Sequence, residues 1–201
     1  MIAAALEPGK GRIPANVAPF PNLGGVADAL DFTGYYRPED LDLDMNALAA
    51  DNVRFCAANT GNEEQDRNYG ETICLTDGTL AQAGANTAVP ELQIFVLGNP
   101  QLAMMDNLAY QPGTGNWYIQ EDGDQLQGNN DLWACMDDGN DDDVLSDSCI
   151  RVGTLNDLNA EWTGGVFTND GKRLFISIQH NVSGKGVVLE ITGCNSMART
   201  E

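Results

Sequence analysis

Along this chain apolar residues fall into short alternating or block-like runs, separated by clusters of Gly, Asn, Asp and Pro. A sustained apolar stripe of helical period extends nowhere beyond a turn or two, so the pattern predicts strands rather than helices. Eleven are predicted: Asp40–Asp44, Val53–Ala58, Thr72–Leu75, Leu92–Leu97, Asn107–Tyr110, Asn116–Gln120, Asp131–Met136, Cys149–Val152, Gly165–Thr168, Arg173–Gln179 and Gly186–Ile191. The expected fold class is all-β, and eleven short strands are too many for one small sandwich sheet.

A unit repeats within this pattern: a short apolar strand, a polar turn, then a longer apolar or aromatic strand. Its clearest copies run from Leu108 to Ile119 and from Val166 to Ile176, and a weaker one starts at Leu41-Asp42-Leu43 and resumes at Val53-Arg54-Phe55. Starts so far apart suit four-stranded blades with loop insertions at 59–71, 122–130 and 137–148, which predicts a partial β-propeller of about three to four blades over residues 36–201, with 1–35 as a lead-in. A propeller needs roughly 4 to 8 blades to close, so open blade edges are expected to meet an oligomer mate or another partner.

Charge narrows the functions. Thirty Asp plus Glu against ten Lys plus Arg give −20 over 201 residues, which repels a phosphate backbone, so no nucleic-acid partner is expected. Divalent cations are the natural partners, because Asp-rich loops with Asn and Gly offer the oxygen ligands that calcium takes. A solvated acidic surface is the plain alternative. No apolar run approaches the ~18 residues of a membrane-spanning helix, so no membrane partner is expected. The start Met1-Ile2-Ala3-Ala4-Ala5-Leu6-Glu7-Pro8 has no basic region and shows no signal peptide.

The five cysteines have no Cys-x-x-Cys spacing, and the one histidine, His180, argues against a zinc site. Cys56 with Cys74, and Cys135 with Cys149, are spaced so that two disulfides can form; reduced, buried thiols are the alternative. The chain has no nucleophile elbow, P-loop or dinucleotide fingerprint. His180 follows a strand and reads as a strand-end residue or a general base.

Two constellations carry candidate chemistry. In Arg37-Pro38-Glu39-Asp40, an extended segment puts Arg37 and Glu39 on one side, a guanidinium for a phosphoryl oxyanion beside a carboxylate for a metal; a salt-bridged turn is the alternative. Asp106-Asn107, Glu121-Asp122-Gly123-Asp124 and Asn129-Asn130-Asp131 place further oxygen ligands at equivalent strand ends, a set that suits calcium over a soft metal. The run 137–143 lacks the EF-hand spacing and reads as a solvated loop.

Arg37-Pro38-Glu39-Asp40, Ala58-Asn59-Thr60, Met105-Asp106-Asn107-Leu108-Ala109, Gly128-Asn129-Asn130-Asp131-Leu132-Trp133, and Glu161-Trp162-Thr163-Gly164-Gly165 through Ile178-Gln179-His180-Asn181 together resemble the C-terminal part of the PhoX-type alkaline phosphatases. The resemblance runs from about Tyr36 to His180; Met105 and Asn181 stand where that family usually has proline. It implies a propeller phosphomonoesterase, periplasmic or secreted, acting on phosphate esters with an iron and calcium cluster. Arg37 would then grip phosphate and Glu39 would bind metal. Asp106, Asn107 and Glu121 join Glu39 as candidate metal ligands. The family's further ligands, a cysteine among them, lie in blades that precede the Arg-Pro-Glu-Asp block and have no counterpart here. The competing readings are an inactive partial homologue, a non-catalytic acidic propeller that binds calcium or a protein, and a lactonase-like hydrolase.

Overall fold

Antiparallel pairing between neighbours in sequence organises the computed structural model, which describes residues 35–61, 69–123, 130–136, 146 and 148–194. Its strands are β1 (Pro38–Leu43), β2 (Arg54–Asn59), β3 (Glu71–Thr76), β4 (Glu91–Leu97), β5 (Met105–Tyr110), β6 (Trp117–Glu121), β7 (Asp131–Cys135), β8 (Cys149–Thr154), β9 (Glu161–Phe167), β10 (Arg173–Gln179) and β11 (Val187–Thr192). They form three sheets, ordered β1-β2-β3-β4, β5-β6-β7-β8 and β11-β10-β9, and the all-β expectation holds. The expected lead-in and most of the inserted loops lie outside the described residues.

The largest boundary difference is at β9, which starts at Glu161 rather than Gly165. The predicted strand opens at Gly165, but pairing with β10 continues back to Glu161 through a bulge whose extra residue is Gly164, with φ of 50°. At Gly165 a Cβ would stand 3.0 Å from the Gln120 amide nitrogen and 3.1 Å from Ala109 Cβ, so its bare backbone lets the third sheet approach the second.

Two short helices break the all-strand expectation: α1 (Met45–Ala49) and α2 (Leu80–Ala85). Neither buries a residue, so neither needs an apolar stripe. Their caps hold them instead. Asp44 accepts from Ala47 N at 2.8 Å, and Thr79 and Gln82 form a reciprocal capping box. The weak repeat from Leu41 to Phe55 is therefore strand, helix, strand, whereas the other two copies are the β5–β6 and β9–β10 hairpins.

Strands β5, β6 and β7 of the middle sheet are buried on both faces, whereas its edge strand β8 is largely exposed. Along β6, Trp117 and Ile119 point toward the first sheet, and Tyr118, one pleat out of phase, points toward the third. Trp117 sits edge-on to Tyr110 at 4.9 Å and Phe95 at 6.3 Å, and Tyr118 edge-on to Phe167 at 4.8 Å. Both disulfides are formed, Cys56–Cys74 and Cys135–Cys149, each joining directly paired residues of adjacent strands; Cys194 is a buried free thiol.

The first strand of each sheet lies on a common side, with β5 packed against both β1 and β9. The alternating Asp-Leu-Asp-Leu of β1 explains one of these junctions. Asp40 and Asp42 accept from the N–H groups of Leu108 and Tyr110 at 3.2 and 2.8 Å, donors that β5 as an edge strand leaves unpaired. The parallel increments also show that β1 and β5 run in the same direction. At the next junction Asn107 accepts from Gly164 N at 3.2 Å.

Candidate functional site

The beginnings of β1 and β5 bring one guanidinium and three carboxylates together. Arg37 precedes β1 in the left-handed region, φ 51°, a conformation that costs a non-glycine residue about 1–2 kcal/mol. The end of β2 holds it there: Thr60 N and Gly61 N donate to the carbonyls of Arg37 and Tyr36 at 3.0 and 3.2 Å. From that position Arg37 Nε lies 3.7 Å from Glu39 Oε1, and Nη2 lies 3.7 Å from Asp122 Oδ2. Arg37 and Glu39 therefore meet as an ion pair across a left-handed turn before β1, the salt-bridged turn that is the alternative reading of this segment, and not through the extended backbone that the spacing argument assumes. Both are about half exposed, so the ion pair itself adds little stability.

Asp106 completes the group. Its register slips between Met105 and Asn107, which makes it the bulged residue of β5, and such a bulge re-aims a side chain. Thr60 Oγ1 donates to its Oδ1 at 3.3 Å. Burial pushes the Asp106 carboxyl up to about 6, and the carboxylates of Asp122 and Glu39 add to the rise, against the pull of the Thr60 hydroxyl and Arg37. Three carboxylates thus repel one another around a single cation.

The remaining candidates are committed elsewhere. Asn107 uses its carbonyl oxygen at the β5–β9 junction. Glu121 is buried, and its two oxygens accept from Ala103 N and Asp131 N, both at 2.9 Å. Asp131 pairs with Arg151 at 2.7 Å and accepts from Thr154 Oγ1. His180 ends β10 in the left-handed region, largely exposed, with Nε2 3.3 Å from Glu161 Oε1. Asp124, Asn129 and the run 137–143 lie outside the described residues. Sequence reasoning gave Thr60 no role in the site and counted Asp122 only as one oxygen ligand among several in the acidic stretch after β6. Asp122 stood in the acidic loop after β6, but nothing in that run says which carboxylate turns toward Arg37.

Burial pushes the Glu121 carboxyl up to about 7 despite its two backbone donors. A carboxyl raised above its unfolded value stabilises the fold in its protonated form. That contribution is complete below the unfolded value of 4.5 and is lost as pH rises through about 7. Urea unfolding should therefore give a fold weaker at pH 8 than at pH 4.5 by about 3 kcal/mol from Glu121 alone. Glu121→Met should remove most of that slope while lowering stability throughout, since two buried N–H groups lose their acceptor. A profile that is flat or rises with pH contradicts this assignment.

Among the described residues no group of three or more His, Cys, Asp or Glu side chains is placed to hold one metal ion, and no helix is long and apolar enough to cross a membrane. Comparison with protein families, curated proteins and solved structures finds no match for the chain.

Proposed function

We propose that the three sheets are blades of a β-propeller, and that the mouth formed by Arg37, Glu39, Asp106 and Asp122 is a divalent-cation and phosphomonoester site of the PhoX-like phosphatase kind. Three features support the blades: each sheet is an antiparallel meander, its first strand is an edge strand, and β5 packs against both β1 and β9. The observation that carries the site is the convergence of Arg37 with Glu39 and Asp122 beside the bulged Asp106.

The donor set fits calcium in kind, since all its oxygens are hard. It falls short in number, because calcium takes six to eight oxygens and the mouth offers three carboxylates and one hydroxyl. Iron fits poorly. Four of the five cysteines are in disulfides, Cys194 is buried in the other core, and His180 is turned to Glu161. When bound, calcium would neutralise the carboxylates and polarise the phosphoryl oxygens.

This chain's residues would divide the remaining work. Arg37 offers a planar fork of donors to phosphate oxygens, its charge held at the mouth by Glu39 and Asp122. Asp106, once deprotonated, is a ligand, so cation binding should strengthen as pH rises through about 6. Thr60 orients its carboxylate. The two disulfides suit an oxidising compartment, which favours a periplasmic or secreted location.

Isothermal titration with calcium, then with inorganic phosphate, tests the reading, alongside hydrolysis of a generic phosphomonoester. Glu39→Gln should abolish calcium-dependent hydrolysis and weaken calcium binding at least tenfold. Arg37→Ala should spare calcium and remove phosphate binding. Unchanged turnover and calcium binding in Glu39→Gln remove it from the site. Calcium uptake that depends on Glu39 without phosphate binding or turnover would favour the non-catalytic calcium-binding reading.

A further inference from the structure

The two disulfides sit in different surroundings. Cys56–Cys74 joins the two central strands of the first sheet, and both residues are buried, at 0% and 4% exposure. Cys135–Cys149 joins β7 to the edge strand β8. Cys135 is buried, but Cys149 is only partly so, packed at the margin of the same core. Beside it, between β4 with the loop that follows and the β7–β8 pair, lies an open cavity of about 460 Å³, within the size range of small-molecule sites. Its lining includes Phe95, Leu97 and Gln101 on one side and Trp133, Ser146 and Cys149 on the other. Ser146 Oγ stands 4.0 Å from Cys149 Sγ.

We propose that Cys149 Sγ is a site of exchange with small-molecule thiols, reached through this cavity, and that the Cys135–Cys149 bridge opens and closes while the chain stays folded. Exchange needs a thiolate that can reach a disulfide sulfur, so access decides which bridge and which sulfur reacts. The thiolate attacks Cys149 Sγ, the S–S bond breaks, and its electron pair leaves on Cys135 Sγ, which takes a proton. A second thiol then attacks the mixed disulfide and releases Cys149 as a thiol. The two small thiols end as their own disulfide, and the bridge gains the two electrons and two protons that they lose. Cys135 is tolerated as a buried thiol, since a free cysteine behaves as a small apolar side chain and Cys194 already is one. Ser146 Oγ is placed to accept from the new S–H of Cys149.

The edge strand does not depend on the bridge. Besides the β7–β8 ladder, Met136 N donates to Ser148 O at 2.9 Å and Thr154 Oγ1 to Asp131 Oδ1 at 2.7 Å. Arg151 pairs with Asp131 at 2.7 Å and lies 5.0 Å over the Trp133 ring. Cys56–Cys74, by contrast, belongs to the core between the first two sheets, so a reagent reaches it only through a larger opening of the fold. None of the mouth residues lines the cavity, so the inference stands apart from the phosphatase reading.

Graded dithiothreitol on the oxidised full chain, followed by acid quenching, unfolding, alkylation and peptide mapping, tests this. Cys194 is alkylated throughout and serves as the reference. The expected result is alkylation of Cys135 and Cys149 at about a tenth or less of the dithiothreitol that opens Cys56–Cys74, with far-UV circular dichroism unchanged and Tm lower by roughly 6–12 °C. With glutathione in place of dithiothreitol, the trapped mixed disulfide should lie on Cys149 and not on Cys135. Gln101→Trp, at an exposed position on the cavity wall, should fill the route and slow opening about tenfold or more while leaving the fold intact. Both bridges opening together, Cys56–Cys74 opening first, or opening only as the circular dichroism is lost overturns the inference. So does a mixed disulfide on Cys135, or an opening rate in Gln101→Trp equal to that of the wild type.

Discussion

Reduction of both disulfides should unfold this chain or bring it close to unfolding at room temperature. Cys56–Cys74 and Cys135–Cys149 close loops with sequence separations of 18 and 14. By chain entropy each such closure is worth about 3 kcal/mol, so the pair contributes about 6 against a total stability of about 5–15 for ordinary domains. The four sulfurs also belong to or pack against the core between the first and second sheets, so replacement loses packing as well as closure. Replacing all four cysteines by Ala should lower Tm by roughly 12–24 °C, at about 2–4 °C per kcal/mol for a chain this size. Calorimetry checks it. A fall of only a few degrees would mean that packing alone sustains the two sheets.

Trp117→Ala should be the costliest single substitution in the core, at about 3–5 kcal/mol. The indole is fully buried between the first two sheets, edge-on to Tyr110 and Phe95, and Ile119 and Leu108 share its cluster. Its loss leaves a cavity where those sheets join, next to the strand that carries Asp106. Its indole N–H finds no acceptor among the described residues, so Trp117→Phe, which deletes that orphan donor and keeps a ring, should cost much less. Urea unfolding of the two variants gives the comparison. Equal costs would show that the N–H, rather than ring packing, is what matters there.

The strands were legible because apolar and polar residues alternate and Gly, Asn and Asp punctuate them; all eleven lie where the pattern put them. The reading failed where backbone geometry overrides pattern. The strand predicted from Gly165 starts four residues earlier, because a bulge at Gly164 carries the pairing with β10 on to Glu161, and Gly165 marks a close approach of sheets rather than a strand end. The helices at Met45 and Leu80 escaped because capping by Asp44 and Thr79 sustains them without an apolar face.

The site was legible in part. Arg37 and Glu39 do come together, but through a left-handed turn at Arg37 that the extended-strand argument did not foresee, and Asp106 lies beside them. Composition alone gave no way to tell a free carboxylate from one already engaged. Glu121 and Asn107 have the right oxygens and the right strand ends, yet Glu121 accepts from the N–H groups of Ala103 and Asp131 around its own sheet, and Asn107 from Gly164 at the β5–β9 junction. Asp40 and Asp42 are also junction residues, and their alternation with Leu41 and Leu43 was the available sign, since such a strand turns both carboxylates to one side.

The central claim is that the starts of β1 and β5 deliver Arg37, Glu39, Asp106 and Asp122 to one mouth that takes a cation and then phosphate. Residue-resolved NMR during titration with calcium and then inorganic phosphate reads it most directly. The carboxyl carbons of Glu39, Asp106 and Asp122 should shift together with calcium at a single midpoint, and the Arg37 Nε–H should shift only on adding phosphate. Carboxyl shifts confined to the run 137–143, with those three carboxylates and Arg37 unmoved, would contradict the account.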